Sequence, residues 1–88
     1  MLRGQTFSRI GDRMVRYFFR LQDGGTLMDD TGEWLAGDAA ATEAAIDVFA
    51  ETLQSKRDHL GAGGSYTVTV FTENDAEVYS ITAQGRRP

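Results

Sequence analysis

Eighty-eight residues make one small domain, and nine basic against thirteen acidic residues leave a net charge of -4. That balance argues against a general nucleic-acid or anionic-membrane binder, which would carry a basic excess. The absence of cysteine excludes a disulfide, a thiolate metal site and a cysteine nucleophile, and no apolar run approaches the ~20 residues of a membrane span.

The charge is unevenly placed. Residues 1–20 hold five arginines against Asp12, a balance of +4; Arg86 and Arg87 add +2; the rest of the chain carries -10. Residues 1–13 have no clean hydrophobic period, two glycines and scattered arginines, and read as a flexible basic arm ahead of the domain. An Arg-rich, acid-poor start can also mimic an organelle transit peptide, but no long amphipathic helix accompanies it here. A third reading takes Met14 as the natural start and the arm as an upstream extension.

From Met14 to Leu21 the chain alternates. Val15, Tyr17, Phe19 and Leu21 fall on one face of a predicted strand, and Arg16, Phe18 and Arg20 on the other. Asp23-Gly24-Gly25 is a hairpin turn signal. Thr26 to Met28 returns as a short strand, Asp29-Asp30-Thr31-Gly32 is a second turn, and Glu33-Trp34-Leu35 is placed to rejoin the sheet. Trp34 is expected either as a plug at the helix entrance or as part of an exposed patch.

Asp38 to Leu60 is the helix around which the rest is organised. Asp38 is the expected N-cap, alanines favour the helical state, and Gly61 suits the left-handed position beyond the end. Lys56, Arg57 and His59 suit the negative end of the dipole. At ~100° per residue, Ala41, Ala45, Val48, Phe49, Thr52 and Leu53 form an apolar arc, with Ile46 and Leu60 at its edge. Glu43, Asp47, Glu51 and Asp58 lie opposite. They are either a solvated acidic face or a docking stripe for something basic. A helix of about 22 residues spans ~33 Å and a seven-residue strand ~23 Å. An overhanging last turn is therefore expected, and Lys56 on the apolar arc points the same way.

After a glycine-rich connector, Tyr66 to Phe71 is a strand of β-branched and aromatic residues, Glu73 to Ala76 a hairpin turn, and Val78 to Thr82 the last strand. The expected domain covers residues 14–83, with a polar tail at 84–88. The order ββαββ gives an α+β fold: a mostly antiparallel sheet with one long helix packed on one face.

Met14-Val15-Arg16-Tyr17-Phe18-Phe19-Arg20-Leu21-Gln22-Asp23-Gly24-Gly25 resembles the opening of a family of small bacterial proteins, the domain of unknown function 6894. Its members characteristically begin Met-x-Arg-Tyr-Phe-Phe, followed by Asp-Gly, an acidic turn with glycine and an Ala/Glu-rich helix. The likeness covers roughly Met14 to Thr82. One departure is the helix entrance, where the family's Leu-Pro-Asp is replaced by Leu35-Ala36-Gly37-Asp38. The resemblance implies a bacterial, cytoplasmic protein and supplies no catalytic residues. A looser similarity is to HicB-type antitoxins, against which the second hairpin counts.

No constellation of reacting groups emerges from these residues. His59 is the only histidine and reads as a solvated residue near the helix end. Asp29, Asp30 and Glu33 lack the spacing of a calcium loop. Catalytic, cofactor and metal residues are therefore expected to be absent. The candidate interaction face is Arg16, Phe18, Arg20, Phe71 and Trp34. It is suited to a dimer interface or to base stacking, unless Phe18 and Phe71 tuck under the arm or the Trp34 loop. The expected role is a non-enzymatic protein-interaction or self-association module, with a homodimer as one form. The alternative is a nucleic-acid-linked regulator, antitoxin-like or RNA-binding.

Overall fold

The computed structural model describes residues 14–88; the basic arm proposed for residues 1–13 lies outside the described residues. Five strands form one antiparallel sheet: β1 (Val15–Gln22), β2 (Thr26–Met28), β3 (Glu33–Leu35), β4 (Ser65–Thr72) and β5 (Glu77–Gln84). The order is β2-β1-β4-β5, and β3 shares with β2 the outer edge of β1. β2 pairs with the end of β1 (Arg20 opposite Met28) and β3 with its start (Arg16 opposite Trp34). The two short strands are thus one edge interrupted by Asp29–Gly32. Asp29 causes the interruption: its Oδ1 accepts from the Thr31 and Gly32 N–H groups at 3.0 and 3.1 Å, curling the backbone out of the ladder.

The helix α1 (Asp38–Leu53) crosses one face, and the chain continues through a 3-10 turn (Gln54–Lys56) into α2 (Arg57–Gly61). The fold is α+β as the alternation and helical period predict. The core is the helix-side face of the sheet: Tyr17, Phe19, Tyr66, Val68 and Val70 buried against Ala41 and Ala45. Alanines at the closest approach let the helix lie low on the sheet, while Phe49 stacks on Tyr66 at 5.6 Å between ring centroids.

Two expectations about the helix ends are corrected. Asp38 does not cap α1: Gly37, in extended backbone, holds the N-cap position, and Asp38 is the first helical residue. The Asp38 carboxylate instead accepts from the Tyr17 hydroxyl at 2.7 Å, fixing the helix start to β1. Gly61 does not take the left-handed position, because it closes α2. Gly63 takes it, with φ 97°. The Gly64 N–H donates to His59 O and the Gly63 N–H to Leu60 O, the two bonds of a Schellman stop.

The helix end is not a free overhang. Thr52 Oγ1 donates to Val48 O and Ser55 Oγ to Thr52 O, both at 2.7 Å, and such back-bonding bends a helix. The chain passes there into the 3-10 turn, and α2 beyond it lies against the strand ends. There His59 Nε2 donates to Ser65 O at 2.8 Å. Lys56 leaves the apolar arc to meet Asp23 in the β1–β2 turn, Nζ to Oδ2 at 2.7 Å. The last strand also runs further than expected, through Gln84, and the Gly85 N–H donates to Gly64 O at 2.9 Å.

Candidate interaction face

Because side chains alternate across a strand, burying Tyr17 and Phe19 under the helix sends Arg16, Phe18 and Arg20 to the other face. The register then sets their neighbours. Phe18 lies opposite Phe71 and Arg20 opposite Thr69 on β4. Trp34 lies opposite Arg16 on β3, and Met28 opposite Arg20 on β2. All five residues of the sequence-derived interaction face therefore sit on one side of the sheet, away from α1.

Cations and rings alternate along this face. The Arg16 guanidinium stands 5.1 Å from the Phe18 ring centroid and 5.9 Å from that of Trp34. The Arg20 guanidinium stands 4.5 Å from the Phe71 centroid. Such contacts are worth roughly 0.5–1 kcal/mol each when exposed. They also hold the long arginine side chains in fixed positions. Arg16 is held further by Thr31, whose carbonyl oxygen accepts from Nε at 3.0 Å and from Nη2 at 2.6 Å. Arg20 Nε is buried and, among the described residues, has no hydrogen-bond partner.

The five residues are not equally presented. Trp34 is 57% exposed, so it is a surface group and not a core plug at the helix entrance. Leu35, one position on, takes the core-facing place. Phe18 is half-buried beneath the Asp29–Gly32 turn. A Cβ on Gly32 would come within 2.9 Å of its ring, and Gly32 holds φ 78°, so that turn closes over Phe18 only with glycine there. The tuck expected under the Trp34 loop thus holds for Phe18. Phe71 is half-buried as well, with the Arg20 guanidinium over its ring.

Sequence reasoning missed two contributors. Met28 is 51% exposed on this face. Thr31 supplies the carbonyl that steadies Arg16. The Asp23-Gly24-Gly25 turn could have found Met28, since a short hairpin there sets it opposite Arg20. Nothing local marks Thr31. Thr69, which alternation along β4 already places on this face with Phe71, is 2% exposed, a buried residue beside Arg20.

On the opposite side of the molecule, Glu43, Asp47, Glu51 and Asp58 are all exposed, and among the described residues none of them joins an ion pair. The helix keeps this stripe away from the arginine face, so the two surfaces are separate.

The remaining titratable contacts belong to the scaffold. The hydrogen bond from Lys56, with a second from the Gly25 N–H, holds the Asp23 carboxyl below its usual range. The same bond to Asp23 raises Lys56. Burial, then the hydrogen bond to Asp38, pushes the Tyr17 hydroxyl up.

Among the described residues no helix is long and apolar enough to cross a membrane, and no group of three or more His, Asp or Glu side chains is placed to hold a metal ion. No curated protein and no solved structure matches the chain. One family does, Domain of unknown function (DUF6894), over residues 16–84, the span that starts at Arg16 and closes with β5. A match over more than three quarters of the sequence shows the kinship that the Arg-Tyr-Phe-Phe opening suggests: the chain belongs to the DUF6894 family.

Proposed function

We propose that this domain is a non-enzymatic interaction module whose working surface is the open face of the sheet, and that its occupant is a protein segment bearing carboxylates and aliphatic side chains. The carrying observation is the row Trp34, Arg16, Phe18, Phe71, Arg20, in which each guanidinium is stacked on at least one ring. A folded domain with one helix needs only one sheet face for its core. Here the second face holds aromatic and arginine side chains, the types enriched in interface centres. The rings fix the guanidinium planes in advance, which lowers the ordering cost of binding. The Arg20 guanidinium, held over the Phe71 ring, is a group suited to a carboxylate.

A non-enzymatic reading is supported by the use to which His59 is put. Its Nε2–H is committed to Ser65 O, within the helix-to-strand connection, and so it is a structural donor. The protein segment is favoured over RNA because two arginines face a chain of net charge -4. Base-stacking sheets work together with basic surroundings that offset phosphate charge.

The test uses Arg20→Ala and Trp34→Ala. Both leave the helix-side core untouched, so far-UV circular dichroism should be unchanged. Binding of an acidic peptide library displayed on beads should fall at least tenfold in each variant. Equal retention by both variants, or retention of single-stranded RNA in place of acidic peptide, would sink the reading. The RNA outcome would favour the nucleic-acid alternative, with the steep salt dependence that phosphate contacts impose.

A further inference from the structure

The two edges of the sheet are unlike. One is broken into β2 and β3, three residues each, with the Asp29–Gly32 turn between them, and so presents no continuous ladder. The other is β5, eight residues long, and among the described residues nothing pairs with its outer side. Val78 to Gln84 contains no charged residue, no proline and no glycine. Edge strands ordinarily carry such guards against pairing.

The direction of the backbone groups on β5 follows from its end. The Gly85 N–H donates inward to Gly64 O. Alternation then sends the polar backbone groups of Ala83, Ile81 and Tyr79 toward β4, and those of Gln84, Thr82 and Ser80 outward. Val78 is the extra residue of a bulge, lying between the pairs Phe71–Glu77 and Val70–Tyr79. The template is therefore Tyr79 to Gln84.

Its ends are oppositely charged. Glu73, Asp75 and Glu77 lie at the start of β5, and Arg86 and Arg87 just beyond its end. A parallel neighbour of the same sequence would set like charges side by side. An antiparallel one sets acid against base at both ends. The helix side is also suited to this. Lys56 reaches toward the β1–β2 turn, whereas Leu60 lies against Gly85 at the end of β5. Ile46, Leu53 and Leu60, one heptad apart, thus line the edge of the helix nearest β5, and Ile46 is 39% exposed.

We propose that β5 pairs antiparallel with β5 of a second copy of this chain, about a two-fold axis at Ile81, to make one sheet continuous across two protomers. Outward-facing residues then meet outward-facing residues, Ser80 opposite the partner's Thr82. Ile81 faces its own copy as a non-hydrogen-bonded pair. Both helices lie on the same side, with the Ile46–Leu53–Leu60 edges toward each other. The interface is isologous and closes at two chains. It uses neither the open sheet face nor the acidic stripe, so it stands independently of the proposed function.

The experiment is solution mass by light scattering on the full chain, with three sets of variants. The unchanged chain should run at twice the chain mass. Ser80→Pro removes only an outward N–H and should give the chain mass with unaltered circular dichroism. Because the sequence has no cysteine, Ile81→Cys gives a clean second readout. Cα atoms in a non-hydrogen-bonded pair are ~4.5 Å apart, within disulfide reach. Mild oxidation should therefore crosslink Ile81→Cys and leave Leu27→Cys, on the other edge, uncrosslinked. Arg86→Glu with Arg87→Glu should weaken the dimer at least tenfold, and adding Asp75→Arg with Glu77→Arg should restore it. If Ser80→Pro fails to fold, the crosslink decides. Chain mass for the unchanged protein would overturn the proposal. So would a dimer without the Ile81 crosslink, or one lost in Arg20→Ala and Trp34→Ala but kept in Ser80→Pro.

Discussion

Tyr66 shows how one side chain ties three elements. It is fully buried on β4, stacked under Phe49 of α1, and its ring lies 5.1 Å from the Lys56 ammonium. Its hydroxyl lies 2.5 Å from Thr52 Oγ1. Since Thr52 spends its own proton on Val48 O, the tyrosine is the donor. Tyr66→Phe keeps the packing and removes that donor. It should cost about 1 kcal/mol, seen as a lower denaturant midpoint with unchanged slope. Thr52 then retains its bond to Val48 O, so the helix end should keep its course.

At the scale of elements, the junction of α2 with the strand ends is a close approach of backbone to backbone. The Leu60 carbonyl comes so close to Gly85 that an added Cβ would overlap it, backbone against backbone. Gly64 is similarly closed, here by the His59 ring. Neither position needs glycine for its φ angle; both need it for room. Gly85→Ala must therefore push α2 off the sheet or unpair the end of β5. A loss of about 1–3 kcal/mol is expected, the usual cost of overpacking. Hydrogen exchange should report it first at Gly63, Gly64 and Gly85, whose N–H groups serve this junction. Unchanged exchange there with full stability would show the junction to be looser than drawn.

For the whole molecule, the titrating ties set a stability window. The Asp23 carboxyl is held low, so its contribution is present above the ordinary carboxylate range and fades as pH falls through its lowered folded value. Lys56 and Tyr17 are both raised, so theirs are present below about pH 10 and fade as pH rises through their raised folded values. A plateau of melting temperature between about pH 5 and 9 is expected, with losses on both sides. The Asp23–Lys56 tie is largely solvent-screened, so Lys56→Met should flatten the acid side only slightly. The alkaline side should follow Tyr17 more closely, because burial is the main cause of its shift. Tyr17→Phe should move that limb toward higher pH.

The sequence by itself determined the element types, the faces of β1 and β4, and the apolar arc of the helix. These are local: a period of two or 3.6 fixes which residues share a side. The interaction face could be read for the same reason, since burying Tyr17 and Phe19 leaves Arg16, Phe18 and Arg20 no other place. Tertiary structure decided what depends on residues far apart in the chain. Asp38 caps nothing because the Tyr17 hydroxyl, 21 positions away, takes its carboxylate. Lys56 leaves the core arc because Asp23, 33 positions away, offers a partner. The helix end docks, instead of overhanging, because a 3-10 turn interrupts it at Gln54–Lys56 and His59 finds Ser65. Which strand is left at the edge is also a matter of the sheet order alone. No periodicity within Val78 to Gln84 distinguishes an edge strand from a central one; only the pairing of β4 with both β1 and β5 leaves that edge bare among the described residues.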